Sequence, residues 1–264
     1  MKFARGAGSV PTVPAMRRER QIVAFGGGGF STEAGNPLLD DYVLGLASDR
    51  AGRGRPKVCL LPTASGDADH YIVRFYRHFP ASRCEPSHVS LFRRDCGTDD
   101  VRAHLLDQDL VYVGGGSVIC LMGVLRAHRL DVALREAWEA GVVLCGLSAG
   151  SLCWFEEAMT GYHGASRPVQ GMGLIAGSNA VHYDKEAHRR PAYHLAIGGG
   201  MPAGYAVDDG AALHFEGDSL MRVVASRPGA HADRVEAVSD EVVELPLPVE
   251  YLGAAEGVAA ALAA

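Results

Sequence analysis

The first half of the chain alternates short apolar runs, several of which end in glycine, with segments of helical apolar spacing. Apolar runs of four or five residues that stop at a turn signal are typical of buried strands, whereas apolar residues three and four positions apart indicate helices. The predicted strands are 21–25, 57–61, 87–92, 110–113 and 142–145, and the predicted helices are 36–47, 70–79, 99–106, 118–127 and 130–140. This alternation predicts an α/β fold, a single domain with a mostly parallel central sheet flanked by helices.

The second half of the chain is less regular. Candidate strands lie at 204–207, 211–215 and 220–225, with a further pair near 232–243. We expect these strands to be antiparallel additions at one edge of the central sheet. Residues 1–18 predict a flexible leader and residues 251–264 an alanine-rich tail, which leaves residues 19–250 as the expected α/β domain.

Length and composition restrict the classes of protein that this chain can be. It has 264 residues, of which 48% are hydrophobic and 21% charged, enough apolar material for a substantial core. A net charge of −6 and a pI near 6.0 argue against nucleic-acid binding, which needs a clustered cationic surface. Six cysteines without a CxxC pair indicate a reducing compartment. No signal peptide or membrane span is apparent, so we expect a cytoplasmic protein.

The strongest chemical signal is GLSAG at 146–150, a GxSxG pattern between a predicted strand and an apolar helical stretch at 151–155. A sharp strand-to-helix turn needs glycines on both sides and presents the serine hydroxyl at the carboxyl edge of the sheet. A bare GxSxG is as often a turn that caps a helix, but this context favours Ser148 as a nucleophile. The N–H of Ala149 would then be directed at the site, where it can stabilise an oxyanion.

A second glycine cluster, GGGS at 114–117, also follows a predicted strand and should therefore lie at the same edge of the sheet. Gly116 is the candidate for the second oxyanion donor, because a residue without a side chain lets substrate approach its N–H closely. Gly115 and Ser117 are candidate substrate contacts. The alternative is a phosphate loop or a plain turn. Neither this cluster nor the glycine run at 26–29 continues as GxGxxG or GxxxxGK[ST], so nucleotide binding has little support.

A serine hydroxyl is a poor nucleophile until a base removes its proton and a carboxylate orients that base. The chain has eleven histidines, and spacing alone does not select one of them. His182 follows an apolar segment and a glycine turn, which suits a side chain presented from a loop. Surface or structural roles are more common for an arbitrary histidine.

Four motifs occur in a fixed order between residues 111 and 215: VYVGGGS, CGLSAGSLCWF, GMGLIAGSNAVHYD and GYAVDDGAALHF. Together with FGGGGF and LLPTAS nearer the N terminus, they resemble the S51 serine peptidases, which include peptidase E (aspartyl dipeptidase), its bacterial relatives and, more distantly, cyanophycinase. The resemblance extends over nearly the whole chain. It implies a class I glutamine amidotransferase-like fold, with Ser148 as nucleophile, His182 as base, and oxyanion amides at Gly116 and Ala149.

For the orienting acid, the resemblance points to Asp209, where relatives usually carry glutamate. Aspartate is one methylene shorter, so either its backbone lies closer to His182 or the contact weakens. Asp208 is a rival, and without the resemblance Asp-Asp-Gly is ordinary turn chemistry. Two further departures concern substrate preference. The acidic residue that some relatives carry after the nucleophile helix is missing from the stretch 160–163, and the GGGNT signature reads GGGSV here.

Three arginines lie near the proposed site in sequence: Arg167, Arg189 and Arg190. A planar guanidinium can bind a substrate carboxylate, so Arg167 and Arg190 are candidate substrate contacts, although such arginines are more often solvated. The histidines and carboxylates lack metal-ligand spacing, and no HExxH occurs. We therefore expect neither a metal nor another cofactor.

The leading hypothesis is a serine peptidase that hydrolyses short peptides through a Ser-His-Asp triad and an acyl-enzyme. One alternative is an esterase, amidase or cyanophycinase-like hydrolase; a version with the α/β-hydrolase order would use Ser148, Asp184 and His214. Another is a catalytically decayed homologue that only binds a ligand. The expected partner is a short peptide substrate, with no nucleic acid and no membrane, and a homodimer is reasonable.

Overall fold

The computed structural model describes residues 19–33, 35–52, 54–93, 98–239 and 241–253. The predicted leader and residues 254–264 of the predicted tail lie outside these ranges. The strands are β1 (Gln21–Phe25), β2 (Lys57–Leu61), β3 (Glu85–His88), β4 (Leu110–Val113), β5 (Val143–Leu147), β6 (Phe155–Thr160), β7 (Arg167–Gln170), β8 (Ile175–Val181), β9 (Gly204–Val207), β10 (Ala211–Glu216), β11 (Ser219–Ala225), β12 (Ala232–Val238), β13 (Glu241–Pro246) and β14 (Val249–Tyr251). The helices are α1 (Gly29–Thr32), α2 (Leu38–Ala51), α3 (Asp69–His78), α4 (Val101–Leu106), α5 (Val118–Ala127), α6 (Leu130–Glu139), α7 (Ala149–Leu152) and α8 (Arg189–Gly198).

The larger sheet has eight strands in the order β14-β11-β10-β1-β5-β4-β2-β3. From β1 to β3 every neighbouring pair is parallel, as expected from the strand-helix alternation. On the other side of β1, β10 pairs antiparallel with β1 and β11 antiparallel with β10. The carboxyl ends of the five parallel strands therefore share one edge of the sheet.

Both faces of this sheet are buried, which explains why its strands are continuous apolar runs. Val23 and Phe25 of β1 pack in a core with α2 and α3. Ile22 and Ala24, on the opposite face of the same strand, pack in a second core with α5 and α6. Helices thus cover both faces of the larger sheet, and the fold is a mixed α/β single domain.

A second, six-stranded sheet has the order β13-β12-β9-β8-β6-β7, in which β6, β8 and β9 are parallel neighbours. The expectation that all the C-terminal strands extend one edge of the central sheet holds for β10 and β11 but is wrong for β9, β12 and β13. These strands form a separate sheet because β9 packs in a different core on each of its two faces. Val207 of β9 packs in the core that contains α5 and α6, while Ala206 packs with Tyr193 and Ile197 of α8.

The segment after Ser148 also differs from expectation. The apolar stretch 151–155 is helical only at Ser151 and Leu152, where α7 ends, and Phe155 already begins β6. The ring of Phe155 packs against those of Tyr205 and Phe215, so this apolar residue joins the core between the two sheets. None of the helices in the described ranges combines the length and apolar character that a membrane crossing requires.

The carboxyl group of Asp40 on α2 is buried beside Tyr112, in the core formed by the larger sheet, α2 and α3, with 2% of its surface exposed. The Tyr112 hydroxyl donates to its Oδ1 at 3.2 Å, and Oδ2 has no hydrogen-bond partner among the described residues. Burial raises the pKa of Asp40 to about 7, because the charged form is poorly solvated in the core. The folded protein therefore keeps this carboxyl protonated in mildly acidic solution.

We predict that Asp40 makes stability fall as pH rises from about 4 to about 7. In this window the unfolded chain has lost the proton that the folded chain keeps. The unfolding free energy of wild type should therefore fall relative to that of Asp40→Asn by about 1.4 kcal/mol per pH unit. Above pH 7 the difference should be constant. Urea unfolding of both proteins at several pH values tests this, and a difference independent of pH between 4 and 7 would contradict it.

Candidate active site

The candidate site lies where the carboxyl ends of parallel strands from both sheets meet. Ser148 follows β5 and the GGGS cluster at 114–117 follows β4, whereas the glycine run at 26–29 follows β1. His182 and Asp209 follow β8 and β9, the parallel neighbours of the smaller sheet. Because the carboxyl edges of the two sheets face one site, residues far apart in sequence come into contact there.

Ser148 occupies a strained bend between β5 and α7. Its backbone has φ +53° and ψ −114°, a conformation that residues with side chains rarely adopt. The flanking glycines are required sterically. A Cβ at Gly146 would lie 2.3 Å from the carbonyl oxygen of Gly150, and a Cβ at Gly150 would lie 2.1 Å from that of Val113. The GxSxG pattern is therefore demanded by the packing of this bend.

A continuous set of contacts links the hydroxyl to a carboxylate. His182 Nε2 lies 2.9 Å from Ser148 Oγ, and His182 Nδ1 lies 2.5 Å from Asp209 Oδ1. His182 also has a positive φ of 56°. The 2.5 Å contact shows that the shorter aspartate side chain reaches the imidazole fully. This arrangement has the geometry in which an imidazole can accept a hydroxyl proton while a carboxylate holds its other nitrogen.

The alternative acids and bases have other partners. The Asp208 carboxylate faces His231, accepting from its backbone N–H at 3.2 Å and lying 2.6 Å from its Nδ1. His214 on β10 has both ring nitrogens engaged, with the Tyr42 hydroxyl at 2.6 Å and Gln21 Oε1 at 3.0 Å. Burial lowers the pKa of His214 to about 4. The Asp208 carboxylate and the His214 imidazole are therefore directed away from the Ser148 hydroxyl.

The GGGS cluster lies against the bend and is held on both sides of Gly116. The Gly115 N–H donates to the Tyr71 hydroxyl at 2.8 Å, and the Ser117 N–H donates to the Ala64 carbonyl at 2.9 Å. A Cβ at Gly116, where φ is +139°, would lie 2.1 Å from that same carbonyl oxygen. Glycine is therefore required at position 116, and Tyr71 is a supporting residue that sequence analysis did not identify.

The two amides proposed as oxyanion donors are available. A Cβ at Gly115 would lie 3.5 Å from the Cβ of Ser148, which places the loop next to the hydroxyl. Among the described residues, neither the Gly116 N–H nor the Ala149 N–H donates to a group outside its own element. Ala149 is the first residue of α7, so it has no acceptor within the helix. Both N–H groups can therefore donate to a ligand.

The glycine run after β1 is a further part of the site to which sequence analysis gave no role. The His182 N–H donates to the Gly26 carbonyl at 3.2 Å, and the Gly210 N–H donates to the Gly27 carbonyl at 3.1 Å. A Cβ at Gly27 would lie 2.0 Å from Asp209 Oδ1 and 2.9 Å from His182 Nδ1. The signal was present in FGGGGF, since four glycines directly after a buried strand indicate close approach of another group.

The remaining predicted residues have other partners. Ser117 Oγ contacts His163 Nε2 at 2.8 Å and also caps α5. Arg189 is buried and donates to the Met159 carbonyl, which makes it a structural residue. Arg190 forms an ion pair with Glu244. Arg167 on β7 lines an open groove against α5, together with Val118, Ile119, Met122 and Gly123 of α5 and its neighbours Pro168 and Val169.

In the described part of the chain, no three histidine, cysteine, aspartate or glutamate side chains come together in a way that could hold a metal ion. The arrangement at Ser148 instead brings together a hydroxyl, an imidazole, a carboxylate and backbone donors.

The model of peptidase family S51 matches residues 22–223, more than three quarters of the chain. The chain belongs to peptidase family S51. It is 47% identical over 235 residues to "Uncharacterized peptidase YgaJ" of Bacillus subtilis (strain 168), a match that covers 89% of this chain and 100% of that protein. It is also 27% identical over 195 residues to a cyanophycinase of Trichormus variabilis, covering 73% of this chain and 57% of that protein. As a member of this family the protein is a serine-type peptidase.

Solved structures share the fold of this S51 chain. The crystal structure of a peptidase from an acI-B1 Actinobacterium matches with a TM-score of 0.63 and 17% identity, covering 87% of this chain and 96% of that one. A putative peptidase E protein from Listeria monocytogenes EGD-e matches with a TM-score of 0.53 and 15% identity, covering 77% and 97%. At these identities the likeness concerns the fold.

We predict that Gly27→Ala lowers hydrolytic activity by about 100-fold or more while the protein remains folded. The added methyl group must displace the Asp209 carboxylate from His182, and misplacement by about 1 Å is enough for a loss of that size. Gly45→Ala is the matched control, because Gly45 lies in α2 with no atom within 4 Å of an added Cβ. Circular dichroism verifies folding of both variants. A folded Gly27→Ala protein with wild-type turnover would show that this contact is unimportant.

Proposed function

We propose that the protein hydrolyses short peptides, as a peptidase E-like dipeptidase, with Ser148 as nucleophile, His182 as general base and Asp209 as the acid that orients the imidazole. The observation that carries this proposal is the unbroken series of contacts from Ser148 Oγ through both nitrogens of His182 to Asp209 Oδ1. The available amides of Gly116 and Ala149 complete it as the proposed oxyanion hole.

In the proposed reaction, Ser148 Oγ attacks the carbonyl carbon of the scissile peptide bond and its proton passes to His182 Nε2. A new C–O bond forms, and the carbonyl oxygen becomes an oxyanion held by the Gly116 and Ala149 N–H groups. The C–N bond then breaks as His182 returns the proton to the leaving amine. Water attacks the acyl-enzyme by the same route, releasing the carboxylic acid and restoring the Ser148 hydroxyl.

The orientation of His182 follows from the contact with Asp209. When Asp209 accepts from Nδ1–H, Nε2 is left without a proton and can accept one from Ser148. The carboxylate also stabilises the imidazolium that forms during attack. Asp209 can act in this way because its backbone is close enough for the short side chain to reach the ring.

The proposal includes a preference for short peptides as substrates. It is supported by the resemblance of the four ordered motifs to peptidase E and by membership of peptidase family S51. Gly115, which lies beside the bend, and Ser117, two residues further along the same loop, are the proposed substrate contacts. Arg167 remains a proposed contact at the groove along α5, whereas Arg190, paired with Glu244, would have to exchange that partner for a substrate carboxylate.

The assignment extends to the fold. We propose a class I glutamine amidotransferase-like domain over residues 19–250, supported by five parallel strands whose carboxyl ends carry the nucleophile bend and both glycine clusters. At the C-terminal end, β14 pairs with β11 and continues to Tyr251, one residue beyond this boundary.

A peptide-library digest with mass-spectrometric detection tests the function and maps its specificity together. We expect wild type to cleave short peptides and Ser148→Ala to lose about 10³-fold or more of that activity, because the mutant has no nucleophile. Ser151→Ala is a control for loss of a nearby hydroxyl, since Ser151 Oγ is buried and accepts from Asn179 Nδ2 at 3.0 Å.

Labelling with a fluorophosphonate gives an independent measure of the same group. We expect the probe to modify wild type at Ser148 and to leave Ser148→Ala unmodified. Equal cleavage of the library by wild type and Ser148→Ala would remove Ser148 from the mechanism.

A further inference from the structure

The loop that carries Asp209 is held by two charged residues that lie outside the proposed triad. The backbone N–H of Asp209 donates to Asp184 Oδ1 at 2.9 Å, and its carbonyl oxygen accepts from Arg227 Nε at 2.7 Å. Arg227 Nη2 in turn donates to Asp184 Oδ2 at 2.6 Å. The polar groups of the Asp209 main chain are therefore engaged in a closed ring of three hydrogen bonds.

This ring bears on the carboxylate because aspartate is short. Its carboxylate is separated from the backbone by one methylene, so a shift of the main chain moves the Oδ1 atom by a similar amount. The contact between Asp209 Oδ1 and His182 Nδ1 is only 2.5 Å long. A small displacement of the main chain would lengthen it and loosen the orientation of the imidazole.

Arg227 also packs directly on this loop. A Cβ at Gly210, where φ is +78°, would lie 2.8 Å from Arg227 Nε, so glycine lets the guanidinium lie against the peptide after Asp209. Arg227 Nε also lies 3.9 Å from Glu33 Oε1, and Glu33 Oε2 accepts from Ser226 Oγ at 3.2 Å. The guanidinium is thus surrounded by acceptors from the Asp209 loop, Asp184 and Glu33.

Asp184 is ionised in this setting. Partial burial alone would raise its pKa, but the Asp209 N–H and the Arg227 guanidinium stabilise the carboxylate and together lower the pKa of Asp184 below its ordinary value. The position of Asp184 in the chain also relates it to the base. Asp184 lies two residues after His182, so it connects the loop of the base directly to the loop of the acid.

We propose that Asp184 and Arg227 are positioning residues that hold the Asp209 main chain so that its carboxylate stays in contact with His182. They act through Asp209 and touch neither the substrate nor Ser148. The inference rests on the proposed roles of Ser148, His182 and Asp209. It adds that the position of Asp209 depends on the Asp184 carboxylate and the Arg227 guanidinium.

The test measures the inactivation of each variant by a fluorophosphonate, with the maximal rate of inactivation and the probe concentration at half-maximal rate obtained separately. For Asp184→Ala and Arg227→Ala we expect the maximal rate to fall by about 10- to 100-fold with little change in the half-maximal concentration, because activation of the hydroxyl is impaired and probe binding is not. Asp184→Asn keeps an oxygen acceptor for the Asp209 N–H, so it should retain more activity than Asp184→Ala.

The double variant Asp184→Ala/Arg227→Ala should be little worse than either single variant, since both residues act on the same backbone segment. Arg102→Ala is the matched control. Its guanidinium pairs with Glu136 between α4 and α6, so this variant removes a similar ion pair from another part of the fold. Thermal unfolding of every variant corrects the rates for the folded fraction.

Ser148→Ala and Asp209→Ala test the proposed triad separately from the positioning role of Asp184 and Arg227. If Ser148→Ala is unlabelled and Asp209→Ala is slow, while folded Asp184→Ala and Arg227→Ala react within about twofold of wild type and Arg102→Ala, the positioning role is wrong and the proposed function stands. Labelling of Ser148→Ala at the wild-type rate would overturn both.

Discussion

The close approach of two sheets at the carboxyl ends of their parallel strands is the constraint on which the site depends. Gly26 and Gly27 lie at this seam, and their carbonyl groups accept from the N–H groups of His182 and Gly210. A Cβ at Gly26 would lie 2.2 Å from the Asp208 carbonyl oxygen. Because these positions have no side chains, the larger sheet can bring its serine to the histidine and aspartate of the smaller one.

Two residues at the same seam have strained backbone conformations. Ser148 and His182 both have positive φ values, which cost free energy in residues with side chains and persist only where the surroundings impose them. For Ser148 the surroundings are the packed glycines of GxSxG, and for His182 they include the hydrogen bond to Gly26. The geometry at the hydroxyl is therefore maintained by the docking of two cores. We infer that the ring formed by Asp184 and Arg227 serves the acid in the same way.

Much of the larger sheet could be predicted from local patterns, since β1, β2 and β4 begin and end where their apolar runs do. These strands are buried on both faces, so burial leaves a continuous signal in the sequence. In the smaller sheet β9 also begins and ends where predicted, but β6 and β8 left no such signal. Strand β6 reads FEEAMT and β8 reads IAGSNAV, mixtures of polar and apolar residues whose partners are chosen by long-range packing.

The sequence by itself determined the class of chemistry, because GxSxG after a buried strand and four ordered motifs specify a serine peptidase of the S51 type. Only the tertiary structure decided which carboxylate contacts His182, since Asp208 and Asp209 are adjacent in one turn and point to different partners. It also excluded His214 from contact with Ser148 and placed Gly27 against the acid. Such distances depend on how strands from two sheets dock, and no local pattern encodes that docking.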